Sequence, residues 1–157
     1  MKQEYLTNNP SQTKKIGKVS AQKVIKKPHK KRAFIIGLVG DLGGGKTTFL
    51  QGFAKGLGIK QKILSPTFVI MRKFKIPKRR RNVSMDYRFF KDFYHIDCYR
   101  VKKTKEILNL GFKEIVSNPF NIVVIEWADR IRKVIPKDAT WVKFEFISDK
   151  KRKIMIK

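Results

Sequence analysis

Ala33-Phe-Ile-Ile-Gly-Leu-Val-Gly40-Asp-Leu-Gly-Gly-Gly45-Lys46-Thr47-Thr48-Phe49-Leu50 is the stretch whose reading decides the fold. As far as Val39 it is an almost unbroken apolar run. Its shortness and β-branching suit a strand buried on both faces. Gly40 to Gly45 is a glycine loop. Beyond Lys46 the apolar positions Phe49, Leu50, Phe53, Ala54 and Leu57 make a helical stripe, and Gly58 stands where a helix-terminating glycine is expected. Gly40 to Thr47 satisfies G-x-x-x-x-G-K-[ST] in full, in the strand–loop–helix setting that this pattern requires.

The chemistry follows from the residue types. Glycines let the backbone curl so that several N–H groups converge on a phosphate. The helix opening near Lys46 points its positive dipole end at the same anion. Lys46 adds a charge for the β- and γ-phosphates, the Thr47 hydroxyl is placed for magnesium, and Thr48 can reach an α-phosphate oxygen. The expected ligands are ATP, or a closely related nucleoside triphosphate, and Mg2+. Magnesium also needs a carboxylate, and two candidates end apolar strands. Glu126 follows Ile122-Val-Val-Ile125 in the manner of a Walker B element, and Asp97 follows Phe93-Tyr-His-Ile96. Both fall at strand carboxyl ends, where open α/β sheets bind ligands. Either could instead be a surface carboxylate paired with the abundant Lys and Arg.

Outward from this core, residues 11–25 read as a helix capped by Asn9 or Ser11, and 26–32 as a basic connector. After a Ser65-Pro66-Thr67 break, Phe68 to Phe74 reads as a strand, and 75–91 as a hairpin loop or flexible excursion. Phe93 to Asp97 is a further strand. Residues 104–118 hold one or two helices interrupted at Gly111. Asn121 to Ile125 is a strand, and 128–135 a short helix. Trp141 to Ile147 and Lys153 to Ile156 pair across a turn at 148–151. The fold class is α/β: a P-loop NTPase-like three-layer fold with a mixed central sheet and antiparallel strands toward the C-terminus. The expectation is one domain over 1–157, with 1–10 and parts of 75–91 as candidates for flexibility.

A chain of 157 residues can bury a core without a disulfide or metal staple. Its one cysteine, Cys98, argues for a reducing compartment and reads as a small core residue. No apolar run approaches a membrane span and the N-terminus has no apolar signal core, so a soluble cytoplasmic protein without a membrane partner is expected. Thirty-eight Lys+Arg against twelve Asp+Glu give a net charge of +26. That balance favours a polyanionic partner, or reflects a lysine-rich proteome with solvated basic faces. The basic segments are 23–32 and 72–91.

Four pieces in order, Gly40 to Phe49, Ser65-Pro-Thr-Phe68, Tyr94-His-Ile-Asp-Cys-Tyr-Arg100 and Glu126-Trp127, resemble the TsaE family, small bacterial ATPases of the tRNA threonylcarbamoyladenosine pathway. The resemblance covers roughly residues 11–147. It implies that Asp41, Leu42, Gly43, Gly44, Gly45, Lys46, Thr47 and Thr48 bind the ATP phosphates. Thr47 and Glu126 would hold magnesium, Glu126 directly or through water. Asp97 would orient or activate the attacking water beside Lys46. Ser65 and Thr67 would act as a switch near the γ-phosphate, Thr13 would lie on the adenine side, and the turn from Ser148 to Arg152 would approach the base. Trp127 would pack beside the site. The implied reaction is ATP hydrolysis, slow in the isolated chain. TsaD and TsaB would be the partners, and tRNA, modified at adenosine 37, would be met directly or through their complex. Gly44, where the family commonly has alanine, and the long basic 72–91 segment depart from the pattern. Arg100 and Arg130 are the candidates for an arginine finger.

Two other readings share the glycine loop. A small-molecule or nucleoside kinase would use residues 78–81 as a basic lid and would turn over ATP only with an acceptor. A nucleotide-regulated RNA-binding module would use the basic-aromatic stretch from Arg72 to Phe93, with affinity falling steeply in salt.

Overall fold

In a computed structural model, the structure describes residues 2–27, 31–64, 69–78 and 90–157. Seven strands form one sheet: β1 (Gln3–Thr7), β2 (Phe34–Gly40), β3 (Met71–Lys75), β4 (Asp92–Asp97), β5 (Asn121–Glu126), β6 (Thr140–Phe146) and β7 (Arg152–Ile156). Their order across the sheet is β1-β7-β6-β2-β5-β4-β3. The four central strands are parallel: β2 lies between β5 and β6, and β4 lies beside β5. Both edges are antiparallel, through β6–β7–β1 on one side and β3–β4 on the other. The sheet is therefore mixed, as the sequence indicates.

Alternation along β2 and β5 divides the core. Phe34, Ile36, Leu38, Ile122 and Val124 face one way, toward α1 (Pro10–Val24) and α2 (Lys46–Gly56). Ile35, Val123 and Ile125 face the other, toward α3 (Thr104–Leu108), α4 (Phe112–Ser117) and a 3-10 segment (Ala128–Val134). Two covered faces explain why these strands read as continuous apolar runs. Cys98 is fully buried in the second core.

The structure corrects one expectation. Residues 3–7, read as part of a flexible terminus, are an edge strand paired with β7 from Gln3↔Ile156 to Thr7↔Arg152. Asn9 then caps α1, its side chain accepting from the Gln12 N–H at 2.9 Å, with Pro10 in the first turn.

The contact of α1 with α2 is what brings the N-terminal segment to the glycine loop. A Cβ on Gly17 would strike the Phe49 carbonyl, and one on Gly52 would strike that of Lys14. Glycine at these positions lets the two backbones touch, at a modest cost in helix propensity.

Candidate functional site

β2 ends in the glycine loop, and α2 begins where the loop closes. Gly43 and Gly45 hold φ of 73° and 100°, left-handed values that a side chain resists, and Gly45 caps α2. The loop from Leu42 to Thr48 lines one wall of a cleft of about 380 Å³, and Asp97, Tyr99, Glu126 and Trp127 line the other. Residues more than 80 positions apart meet here because β4 and β5 are parallel neighbours of β2. Their carboxyl ends therefore open onto one edge of the sheet.

Thr47 and Glu126 are in direct contact. The Thr47 hydroxyl donates to Glu126 Oε2 at 2.8 Å. The other carboxylate oxygen, Oε1, lies 2.8 Å from Nε2 of the fully buried His95. A carboxylate oxygen accepts, so Nε2 is the ring nitrogen that carries the hydrogen in this contact. Nδ1 of His95 is buried and finds no hydrogen-bond partner among the described residues. Among the described residues the imidazole thus has one hydrogen-bond partner, and that partner is Glu126. A hydroxyl and a carboxylate at this spacing offer hard oxygen donors to a small divalent cation. Among the described residues no cluster of three or more His, Cys, Asp or Glu could hold a metal by itself. That donor set suits Mg2+, which keeps waters and phosphate oxygens for its other positions.

Asp97 is buried at the end of β4, and its Oδ1 accepts from the Tyr99 N–H at 2.9 Å. Lys46, 5 % exposed, donates to the carbonyls of Gly40 at 2.5 Å and Asp41 at 2.6 Å. Its Nζ also sits 3.9 Å from the centre of the Trp127 ring. Burial lowers its pKa, against the pull of Glu126, Asp41 and Asp97. The loop therefore shelters a cation whose desolvation an incoming anion would offset. Trp127 takes a left-handed φ of 57° directly after β5, and its ring packs against Tyr99 with centroids 5.1 Å apart and planes tilted by 48°. Arg130, one of the two arginine-finger candidates, lies over both rings at 5.6 and 5.8 Å.

The other end of the loop is closed by both ends of the chain. Buried Thr13 shares a 2.9 Å hydroxyl contact with Thr7, and its methyl group lies beside Gly45. Arg152 donates from Nε to the Gly43 carbonyl at 2.9 Å and from its guanidinium to the carbonyls of Ser148 and Lys151. Thr13 and the Ser148–Arg152 turn thus flank the loop together.

Of the residues singled out from sequence, Leu42 to Thr48, Asp97 and Glu126 converge on the cleft. Asp41 begins the loop with an exposed side chain and takes the Lys46 hydrogen bond on its carbonyl. Thr13 lies behind Gly45. Ser65 and Thr67 lie outside the described residues, as do residues 79–81 of the suggested lid. Sequence reasoning missed three contributors. Tyr99 sits in a quoted motif without a role, the pairing of His95 with Glu126 crosses two strands, and the Thr7 contact has no local signal at all.

The family model for "Threonylcarbamoyl adenosine biosynthesis protein TsaE" matches residues 7–154. The chain belongs to the TsaE family. Similar TsaE proteins include that of Bacillus subtilis, 34 % identical with 98 % of this chain and 85 % of the relative covered. That of Rickettsia prowazekii is 33 % identical, with 94 % and 90 % covered. The crystal structure of Bacillus subtilis YdiB superposes with a TM-score of 0.72 at 28 % identity, covering 99 % of this chain and 84 % of that one. TsaE membership ties the chain to tRNA threonylcarbamoyladenosine biosynthesis and agrees with a P-loop NTPase-like α/β fold. Among the described residues no helix is long and apolar enough to cross a membrane.

Proposed function

We propose that this TsaE-family chain is a magnesium-dependent ATPase that supports N6-threonylcarbamoylation of adenosine 37 in tRNA, acting in the cytoplasm with TsaD and TsaB. The observation that carries the reading is the 2.8 Å contact between Thr47 and Glu126 at the mouth of a glycine loop. It joins the oxygen donors that a metal–triphosphate complex needs.

The nucleotide phosphates would lie along Leu42 to Thr48, at the start of α2. Lys46 would exchange the Gly40 and Asp41 carbonyls for β- and γ-phosphate oxygens and stabilise the charge of the transferring phosphoryl group. Thr47 and Glu126 would hold Mg2+, which would supply charge neutralisation for the triphosphate. Asp97, fixed by the Tyr99 N–H, would align a water with the scissile bond and accept its proton. Thr13 and Arg152 would border the base side of the nucleotide. Ser65 and Thr67 are proposed to respond to the γ-phosphate. Asp41 would contribute through its backbone.

The test is ATP turnover by the purified chain, alone and with TsaD–TsaB, without any acceptor. Slow release of phosphate that the partners accelerate is expected. Turnover that requires an added hydroxyl compound would instead make the chain a kinase. Turnover without any partner response would remove the pathway assignment and leave the hydrolase.

A further inference from the structure

The nucleotide cleft leaves a second concavity unused. It lies beside the carboxyl end of α2 and has a volume of about 620 Å³. It shares no residue with the first cleft. Lys14 of α1, Lys55 of α2 and Lys60 and Lys62 of the segment after it converge on this concavity, with Gln51 and Gln61 between them. All four lysines are exposed. Among the described residues no carboxylate lines it. The walls are held in place, because Gln51 Nε2 donates to the Ile63 carbonyl at 3.2 Å and Ile59 and Ile63 are anchored in the core.

The surroundings carry the same sign. Between Glu4 and Asp86 the sequence holds a single acidic residue, Asp41, and that one belongs to the glycine loop. The α1–α2 layer therefore bears lysines without compensating carboxylates. Glu106, Glu114 and Asp129 all lie on α3, α4 and the 3-10 segment, across the sheet. Four like charges around one concavity repel one another unless an anion sits among them.

The chemistry selects the occupant. A protein partner would need an apolar centre, and among the described residues none of the large exposed apolar side chains lines the cleft. A membrane would need an apolar wedge, which is equally absent. Spaced ammonium groups with amides between them fit a sugar–phosphate backbone, whose charges recur along a strand. We propose that this lysine cleft binds the phosphate backbone of RNA, the tRNA substrate of the pathway. The choice of tRNA rests on the proposed function, and the lysine geometry does not. Lys14 adjoins Thr13 and Gln51 lies one turn beyond Thr47 and Thr48, so RNA held here would rest on the same two helices that carry the nucleotide loop.

The experiment is fluorescence anisotropy of an unmodified tRNA transcript titrated with the full chain over a range of salt. A variant with Lys14, Lys55, Lys60 and Lys62 changed to Gln is compared with one in which exposed Lys105, Lys113, Lys133 and Lys137 are changed to Gln. Wild type should bind in the micromolar range, and its affinity should fall with salt. The cleft variant should lose about 10- to 100-fold, with a salt slope shallower by about three, whereas the charge-matched control should lose far less. Equal losses in both variants would mean diffuse attraction and overturn the proposal. So would wild-type binding of poly-glutamate, or of phosphatidylserine vesicles, as tight as that of tRNA. A second readout needs no variant: bound tRNA should shield Lys14, Lys55, Lys60 and Lys62 from acetylation more than Lys105 and Lys113. Uniform shielding would also overturn it. Loss of the ATPase reading with the tRNA footprint intact would leave the cleft standing, so the two failures are separable.

Discussion

Asp97 and Glu126 are register partners across the parallel β4–β5 ladder, so two carboxylates stand side by side at the same height of the sheet. Their hydrogen bonds divide them. Glu126 holds Thr47 and His95, whereas Asp97 accepts from the Tyr99 backbone. Different losses are expected on neutralising each. Glu126→Gln should weaken ADP binding in the presence of Mg2+ and leave metal-free binding nearly unchanged. Asp97→Asn should keep ADP affinity within a few-fold and lower kcat by about 10²- to 10⁴-fold. Calorimetric titration with and without Mg2+, together with single-turnover kinetics, separates the two. Normal hydrolysis by Asp97→Asn would remove it from the chemistry.

His95 should act through Glu126 and not on the nucleotide itself. His95→Leu removes the donor to Oε1 inside the core, at a cost of about 1–3 kcal/mol in stability. It should also weaken Mg2+-dependent nucleotide binding. His95→Gln can still donate and should recover part of the metal dependence. Chemical denaturation and Mg2+ titrations at fixed ADP check this. Equal metal affinity in both variants would reduce His95 to a packing residue.

Lys46 is expected to help the ligand at the expense of the empty fold. Burial disfavours its charge, so Lys46→Met should leave the nucleotide-free protein at least as stable as wild type. Wild type should gain about 2.7 kcal/mol from ADP at 100 times its Kd, and Lys46→Met should gain almost nothing. Thermal melts with and without ADP give both numbers.

Cys98 should be inert. Burial, reinforced by nearby Asp97, pushes its thiol up to about 12 from an ordinary 9.0. A group that holds its proton more tightly when folded stabilises the fold below the unfolded value. That contribution falls away as pH climbs from about 9 toward 12. A thiol reagent at pH 8 should label the native protein only as fast as it opens, and label it at once in denaturant. Immediate labelling of the native chain would contradict this burial.

Much of this was legible in the sequence where a signal is local. The glycine loop, β2, α2 and β5 each declare themselves within a dozen residues, through a motif or an apolar period. β1 does not, because an edge strand whose buried member is Thr7 shows no apolar alternation. The Arg152–Gly43 bond joins positions 109 apart, and no local pattern encodes it. The pairing of His95 with Glu126 depends on which strands are neighbours, which emerges only once the sheet order is known. Gly17 and Gly52 look like weak points in helices until the helices are seen in backbone contact.

That contact makes the nucleotide pocket vulnerable from a distance. Neither Gly17 nor Gly52 lines the cleft, yet bulk at either would wedge α1 away and carry Thr13 with it. A saturation screen scored on ATP retention should therefore return these two glycines beside Lys46 and Thr47. Inherited variants there would resemble active-site lesions while every catalytic side chain remained intact.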